Sequence, residues 1–226
     1  KVGNYMTIKL LGIAGSARNK SGSSYALEQA LLAAKEIDAD VTTQFISLRG
    51  KKISMCMHCD SCVKHKSLCC IKDDFQQVQQ AFLEADGYIF STPVYNMTPT
   101  PVFHAFMSRI RPTLMVYPGH FTGKVGGGIC VGGGRNSGQE MTLLSFQNFF
   151  YSYEILSCGG SLHEPAGAAL YSVDGSFDGA KNDIQGIESA RRLGKRIAQT
   201  AAILKYGRTF LEDSGKVIYH TKGWWD

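Results

Sequence analysis

Short apolar runs alternate with longer amphipathic stretches along the chain, and this alternation predicts strands and helices in turn. Residues 8–14 are apolar and end at Gly-Ser, which is typical of a buried strand. Comparable runs predict four more strands, at 41–46, 87–92, 124–131 and 155–158. The amphipathic stretches predict five helices, at 24–37, after Asp73-Asp74, and at 101–110, 139–152 and 183–204.

Five strands alternating with five helices predict an α/β fold with a doubly wound parallel sheet. In such sheets, ligands bind beyond the carboxyl ends of the strands, near the point where the strand order reverses. The loops after the first, third and fourth strands are therefore the expected site.

Composition and charge argue against a nucleic-acid-binding or membrane-spanning protein and favour a metal-binding one. The 226 residues carry a net charge of +5 and no stripe of Lys and Arg interleaved with aromatic residues, so no nucleic-acid partner is expected. No apolar run approaches the roughly 18 residues of a membrane span, and we expect no export signal and a cytoplasmic location. Five of the seven cysteines fall between residues 56 and 70, which favours metal binding over disulfides.

The loop after the first strand is rich in small and hydroxyl residues. Ser16 and Arg18 precede Ser21-Gly22-Ser23-Ser24 and the start of a helix. Backbone N–H groups at a helix start, hydroxyls and a guanidinium are all donors for phosphate. The loop matches neither the Walker pattern nor GxGxxG. The alternative is a simple Ser/Gly-rich helix cap.

Two further loops are suited to a planar polar ring. Pro93 fixes the turn after the third strand, and Tyr95 and Asn96 supply a flat face and amide donors. After the fourth strand, the glycines of 132–134 allow close backbone approach. Each loop alone could be a surface turn. Together with a phosphate cradle, they predict a mononucleotide such as FMN.

The cysteine run has the pattern Cys-x2-Cys-x2-Cys, at Cys56, Cys59 and Cys62, with a further thiol at Cys69 and another at Cys70. Compact thiols that can converge on one small centre are typical of an iron–sulfur cluster. Zinc, with His58 or His65 as ligands, and free redox thiols are the alternatives. Cys130 and Cys158 fall in predicted strands and are expected to be small buried apolar residues.

Lysines surround the cysteine run, at 51, 52, 64, 66 and 72, and Asp60 is the only acid between Lys51 and Lys72. Positive charge near an anionic cluster favours its reduced form and can steer an acidic electron carrier. The alternative is an ordinary solvated loop.

These motifs resemble those of the iron–sulfur flavoproteins, a branch of the NADPH-dependent FMN reductase group. The resemblance covers about residues 8–204 and includes the phosphate loop, the cysteine run, Asp73-Asp74, 85–87, 93–95 and 132–140. It implies a flavodoxin-like five-stranded sheet of order 2-1-3-4-5 with a cluster loop after strand 2. The phosphate loop is one residue longer than the common pattern of the family.

The resemblance also implies the site residues and the assembly. The FMN contacts would be Ser16, Arg18, Ser23, Ser24, Pro93, Val94, Tyr95, Asn96, Gly133 and Arg135. The ligands of a 4Fe-4S cluster would be Cys56, Cys59, Cys62 and Cys69, with Cys70 as the alternative fourth ligand. The family forms dimers or tetramers, so a homodimer or homotetramer is expected.

We expect one FMN-binding domain over 6–205, with the cluster loop at 51–72, and a C-terminal extension over 206–226. Trp224 and Trp225 in that extension would pack on another surface, such as a second subunit.

The expected function is electron transfer between a 4Fe-4S cluster and FMN, with ferredoxin or another redox carrier as partner and no catalytic triad. Three alternatives stay open. They are an NAD(P)H-dependent FMN or quinone reductase, a flavin-dependent dehydrogenase of a small biosynthetic substrate, and a non-catalytic zinc or thiol redox sensor.

Overall fold

A parallel sheet forms the centre of the protein in the computed structural model, which describes residues 6–37, 39–174, 176 and 178–216. Its strands run in the order β2-β1-β3-β4-β5, and a sixth strand pairs with β4. The strands are β1 (Ile8–Ala14), β2 (Val41–Ser47), β3 (Gly87–Pro93), β4 (Val125–Gly132), β5 (Leu156–Ser157) and β6 (Ala168–Tyr171). The flavodoxin-like doubly wound fold and the order 2-1-3-4-5 are confirmed.

The fifth position of the sheet is shared by two short strands, whereas the sequence predicted one strand over 155–158. Leu156 of β5 lies opposite Val125 at the start of β4, and Ala168 of β6 lies opposite Ile129 further along it. Between these two strands the chain leaves the sheet near Gly159, where an added Cβ would lie 2.4 Å from the Glu164 carbonyl oxygen. A side chain at this position would not fit the turn, and β6, where the chain rejoins the sheet, was not predicted.

Helices cover both faces of the sheet. They are α1 (Gly22–Ala34), α2 (Ser61–Lys64), α3 (Phe75–Glu84), α4 (Pro101–Arg109), α5 (Pro112–Val116), α6 (Gln139–Ser152) and α7 (Ile184–Asp213), with a 3-10 turn at Gly179–Asn182. The core under α3, α4 and α6 is rich in phenylalanine, while the core under α1 and α7 is aliphatic. Within the described residues, no helix is both long and apolar enough to cross a membrane.

The last helix is longer than predicted and continues nine residues beyond Leu204 to Asp213. Side chains on this extra length hold it to the amino-terminal edge of the sheet. Lys205 Nζ donates to the Thr7 carbonyl at 2.9 Å and pairs with Asp86 at 2.8 Å. Trp224 and Trp225 lie outside the described residues, so their predicted packing stays a prediction.

A buried lysine lies at the same edge of the sheet, away from the strands' carboxyl ends. Lys124 Nζ is 2.9 Å from the Leu83 carbonyl oxygen and 3.0 Å from His120 Nε2. Burial lowers the pKa of Lys124 to about 7, and nearby Arg208 and Lys205 act in the same direction while Asp86 opposes them.

Candidate functional site

A cavity of about 240 Å³ opens at the carboxyl ends of β1, β3 and β4. Most of the residues predicted to contact FMN line it: Ser16, Arg18, Ser23, Pro93, Val94, Tyr95 and Gly133. The remaining lining residues are Ser21, Gly22, Val131, Gly132, Ser172, Ser176 and Ala180. We call this cavity the flavin cradle.

The amino-terminal end of α1 forms one wall of the flavin cradle. Ser21 caps the helix, and its Oγ accepts the Ser24 N–H at 3.1 Å. Gly22 is required here because an added Cβ would lie 2.4 Å from the Ala180 Cβ. The described lining residues include Arg18 and no carboxylate. A helix start with hydroxyls and a guanidinium fits an anionic phosphate.

The opposite wall is a tight turn after β3. Tyr95 and Thr98 exchange two backbone hydrogen bonds of 3.0 Å, which forces Asn96 and Met97 into left-handed conformations with φ of 48° and 65°. Met97 packs on Gly138, where an added Cβ would lie 2.7 Å from Met97 Cγ. The loops after β3 and β4 are therefore fixed against each other.

Three predicted contacts lie outside the flavin cradle's lining. Ser24 is held in the cap of α1, where the Ser21 hydroxyl donates to its Oγ at 2.9 Å. Asn96 lines a neighbouring surface groove. The Arg135 guanidinium stacks over the Tyr171 ring at 4.8 Å and lines another cavity.

The sequence prediction missed Ser172 and Ser176, which line the cradle beside Ser21. They follow β6, a strand that the apolar pattern did not reveal. The Ser21 hydroxyl was visible as part of the Ser-Gly-Ser-Ser run, and its helix-cap position could have identified it.

The flavin cradle fits a flavin mononucleotide by its chemistry. Donors converge at one end, and Pro93, Val94 and Val131 give the other end apolar walls. At Gly133 an added Cβ would meet no atom within 4 Å, so the glycine leaves open space beside the cavity. A small, polar-ended and apolar-walled cavity at a topological switch point is typical of a nucleotide site.

The cysteine run forms a second cavity, which we call the cysteine cavity. Its lining is Cys56, Met57, His58, Cys59, Asp60, Cys62, Cys69, Cys70, Ile71, Arg109, Arg111 and Pro112. His58, Asp60 and Lys66 have positive φ values of 52°, 53° and 45°, so the backbone turns repeatedly between the cysteines. Burial raises the pKa of the Cys62 thiol.

Both candidates for the fourth ligand line the cysteine cavity. Cys69 is half-buried and packs against the aromatic core, whereas Cys70 is exposed. Over the described ranges, no three His, Cys, Asp or Glu side chains converge in the geometry of a single metal ion. Five thiols around one cavity beside two arginines fit an anionic, thiolate-bound group, and the choice of fourth ligand stays a prediction.

Asp73 and Asp74 hold the base of the cysteine loop. The Ser54 N–H donates to Asp73 at 2.8 Å, and the Lys52 N–H donates to Asp74 at 2.6 Å. Burial would raise the pKa of Asp73, but backbone N–H donors and the Arg109 guanidinium lower it below its ordinary value. The sequence placed these acids at a helix start, and α3 does begin directly after them.

A surface groove borders both cavities. It shares Cys56 and Met57 with the lining of the cysteine cavity, and it shares Tyr95 with the lining of the flavin cradle. Lys51, Lys52, Met55 and His104 lie along its walls. The two candidate redox sites therefore open onto one continuous surface.

Comparison with known proteins agrees with this geometry. The family described as NADPH-dependent FMN reductase matches residues 8–162. An iron–sulfur flavoprotein of Methanocaldococcus jannaschii is 38% identical over 82% of this chain and 92% of its own length. One of Archaeoglobus fulgidus is 38% identical over 84% of this chain and 95% of its own length.

Solved structures share the fold at low sequence identity. RosB, solved with a bound riboflavin-phosphate intermediate, has a TM-score of 0.67 at 14% identity and covers 95% of this chain and 90% of its own. A WrbA-like flavodoxin of Agrobacterium tumefaciens has a TM-score of 0.59 at 16% identity, with 87% and 98% coverage. The chain therefore belongs to the NADPH-dependent FMN reductase family, in its iron–sulfur flavoprotein branch, and is a flavin-dependent oxidoreductase.

Proposed function

We propose that this protein transfers electrons between a 4Fe-4S cluster in the cysteine cavity and FMN in the flavin cradle. FMN exchanges one or two electrons and the cluster exchanges one, so the pair would couple one-electron donors to one- or two-electron acceptors. The observation that carries the proposal is a surface groove that shares Cys56 and Met57 with the cysteine cavity and Tyr95 with the flavin cradle.

The chain's own residues have distinct roles in this proposal. Ser16, Arg18 and Ser23 would hold the FMN phosphate at the start of α1, and Pro93, Val94 and Tyr95 would bound its ring. Cys56, Cys59, Cys62 and Cys69 would ligate the cluster. Electron exchange of this kind needs no catalytic triad, so the protein supplies orientation and electrostatics.

Anaerobic purification followed by spectroscopy and chemical analysis tests the proposal. We expect flavin bands, a broad absorbance near ~400 nm, and about four iron and four sulfide per chain. Zinc without sulfide, or FMN with neither metal, would overturn it.

The fourth ligand can be settled by two matched variants. Because Cys69 is half-buried against the core and Cys70 is exposed, we expect Cys69→Ser to lose the cluster and Cys70→Ser to retain it. Iron and sulfide per chain are the readout. The reverse pattern would assign Cys70.

A second candidate function is hydride transfer from NADPH to FMN, favoured by the family match over residues 8–162. Anaerobic mixing with NADPH distinguishes the two. Rapid flavin bleaching by NADPH would support this candidate, and bleaching only by a reduced one-electron carrier would support the first.

We further propose that an acidic ferredoxin-type carrier is the partner. This proposal is supported by exposed lysines around the cysteine cavity, which are Lys52, Lys64, Lys66 and Lys72.

We also propose that the protein is a homodimer or homotetramer and that it is located in the cytoplasm. Reduced thiols around a metal group suit a reducing compartment. Light scattering of the purified protein measures the assembly, and a monomer at micromolar concentration would contradict that part.

A further inference from the structure

Arg109 is a fully buried arginine at the end of α4. Its side chain is 0% exposed, and the guanidinium lies 4.2 Å from the centre of the Phe75 ring. Nη1 donates to both Asp73 carboxylate oxygens, at 2.7 and 2.6 Å, and Nη2 donates to the Ile71 carbonyl at 2.8 Å. A buried, charge-assisted contact of this kind fixes geometry more firmly than a surface ion pair.

The partners of Arg109 lie on both arms of the cysteine loop. Nη1 also reaches the Ser54 carbonyl at 3.3 Å, two residues before Cys56, while Ile71 follows Cys70 directly. A single side chain thus connects the two ends of the segment that carries the five thiols. Lysine could not do this, because a point charge lacks the planar fork of donors.

One donor of Arg109 is left over. Its Nε is buried and has no hydrogen-bond partner within the part of the chain that the structure describes. Arg109 also lines the cysteine cavity. Buried N–H groups almost always have an acceptor, and the cavity of thiols that Arg109 lines is where a bound group could supply one.

We propose that Arg109 closes the base of the cysteine loop and donates its Nε–H to a sulfur atom of the cluster that the loop holds. The inference rests on the proposed function. Arg109 is a positioning residue for the thiols and tunes the bound group, since an N–H donor to a sulfur stabilises the more negative, reduced state. Reduction adds one electron to the cluster and breaks no bond.

Two variants separate the positioning role from the donor role. Arg109→Met removes both, and Arg109→Lys keeps the charge but removes Nε–H. The matched control is Arg111→Met, which removes a half-exposed cation of the same cavity that reaches Asp60 at 3.4 Å. If Arg109→Met does not fold, the Asp73→Asn/Arg109→Gln pair replaces it, because it leaves no unpaired buried carboxylate.

The positioning role is measured on metal-free protein by hydrogen exchange. We expect amides of residues 52–56 and 69–73 to exchange at least tenfold faster in Arg109→Met, with Arg111→Met close to wild type. Equal protection in Arg109→Met and wild type would overturn the positioning role.

The donor role is measured on the anaerobically purified, iron-loaded protein. In dye-mediated titration we expect both Arg109 variants to show at least a tenfold lower ratio of reduced to oxidised cluster at a fixed potential. For one electron this corresponds to a reduction potential about 59 mV lower. With 15N-arginine labelling, pulsed EPR of the reduced cluster should show a nitrogen coupling that Arg109→Lys loses and Arg111→Met keeps.

The outcomes distinguish this inference from the proposed function. A wild-type protein with four iron and four sulfide whose potential and nitrogen coupling are unchanged in Arg109→Lys overturns the donor role alone. A wild-type protein without iron and sulfide overturns the proposed function and the donor role with it.

Discussion

The flavin cradle and the cysteine cavity are built in opposite ways. The cradle is formed by strand ends and a capped helix start, and Ser16 and Ser23 in its wall are 2% exposed. The cysteine loop is irregular, and its Cys59 and Cys70 are exposed. Hydrogen bonds hold this loop to the rest of the protein mainly at its base, around Asp73, Asp74 and Arg109.

The difference shows which part of the protein fixes the conformation of each site. The cradle follows from the parallel sheet, because its loops begin where buried strands end. The cysteine loop has a fixed base and a thiol-lined mouth, so the proposed cluster would supply the remaining order, as structural metals do elsewhere. The following predictions test that division, from the largest expected effect to the smallest.

Loss of one central thiol should remove the cluster and spare the flavin. We expect Cys59→Ser to lose most of its iron and sulfide while FMN stays at one per chain, because the loop lies outside the cradle. Metal, sulfide and flavin analysis of one sample measures this. Cys158→Ser, at a buried strand end, is the control. Parallel loss of FMN would show that the sites depend on each other.

Replacement of Lys124 should change stability through the scaffold alone. Its pKa is about 7 in the folded protein and higher when unfolded, so the unfolded chain binds more protons between pH 7 and 10.5. Stability should therefore rise with pH across this window, by up to ~5 kcal/mol, and Lys124→Met should flatten that rise. Urea unfolding at several pH values measures it. An unchanged slope in the variant would contradict the buried cation's role.

Two glycine variants compare a packed position in the wall of the flavin cradle with a position that faces open space. Gly22→Ala forces a Cβ to 2.4 Å from that of Ala180, and we expect a loss of roughly 1–3 kcal/mol in stability and weaker FMN binding. Gly133→Ala meets no atom within 4 Å, so it should weaken FMN binding with stability within ~0.5 kcal/mol of wild type. Unfolding and flavin titration measure both. Tight FMN binding by Gly133→Ala would place the ring elsewhere.

The smallest effect is expected from the lysines around the cysteine cavity. Lys64→Gln/Lys66→Gln should slow reduction by an acidic ferredoxin a few-fold at low salt and lose this effect at high salt, because exposed charges are screened. Stopped-flow rates at several ionic strengths measure it. Lys35→Gln, at the far end of α1, is the matched control. A flat salt dependence would exclude electrostatic docking there.

The sequence predicted the parts of the fold that depend on local pattern. β1 and α6 have the predicted bounds, and the other long strands agree within one residue at each end. β5 lies within the predicted 155–158, whereas β6 was not predicted, since a strand of four residues carries too little periodicity to distinguish it from a loop. α7 was predicted too short because its last turns are held by contacts with distant residues such as Asp86.

The candidate sites divide in the same way. Seven cradle residues were identified because strand ends and small-residue loops are visible in the sequence. Ser172 and Ser176 were not identified, because they follow β6, which the sequence pattern did not predict. The thiol spacing of the cysteine run was equally visible. Arg109 was not, because nothing in its neighbourhood along the chain shows that it will reach Ser54 and Asp73.

The sequence by itself determined the sheet, the loops at its carboxyl edge and the set of thiols, because these depend on periodicity, turn residues and spacing. Only the tertiary structure decided that one groove borders both cavities, that Arg135 stacks on Tyr171 instead of lining the cradle, and that Arg109 bonds both arms of the cysteine loop. Such contacts join residues far apart in the chain, and packing alone brings them together.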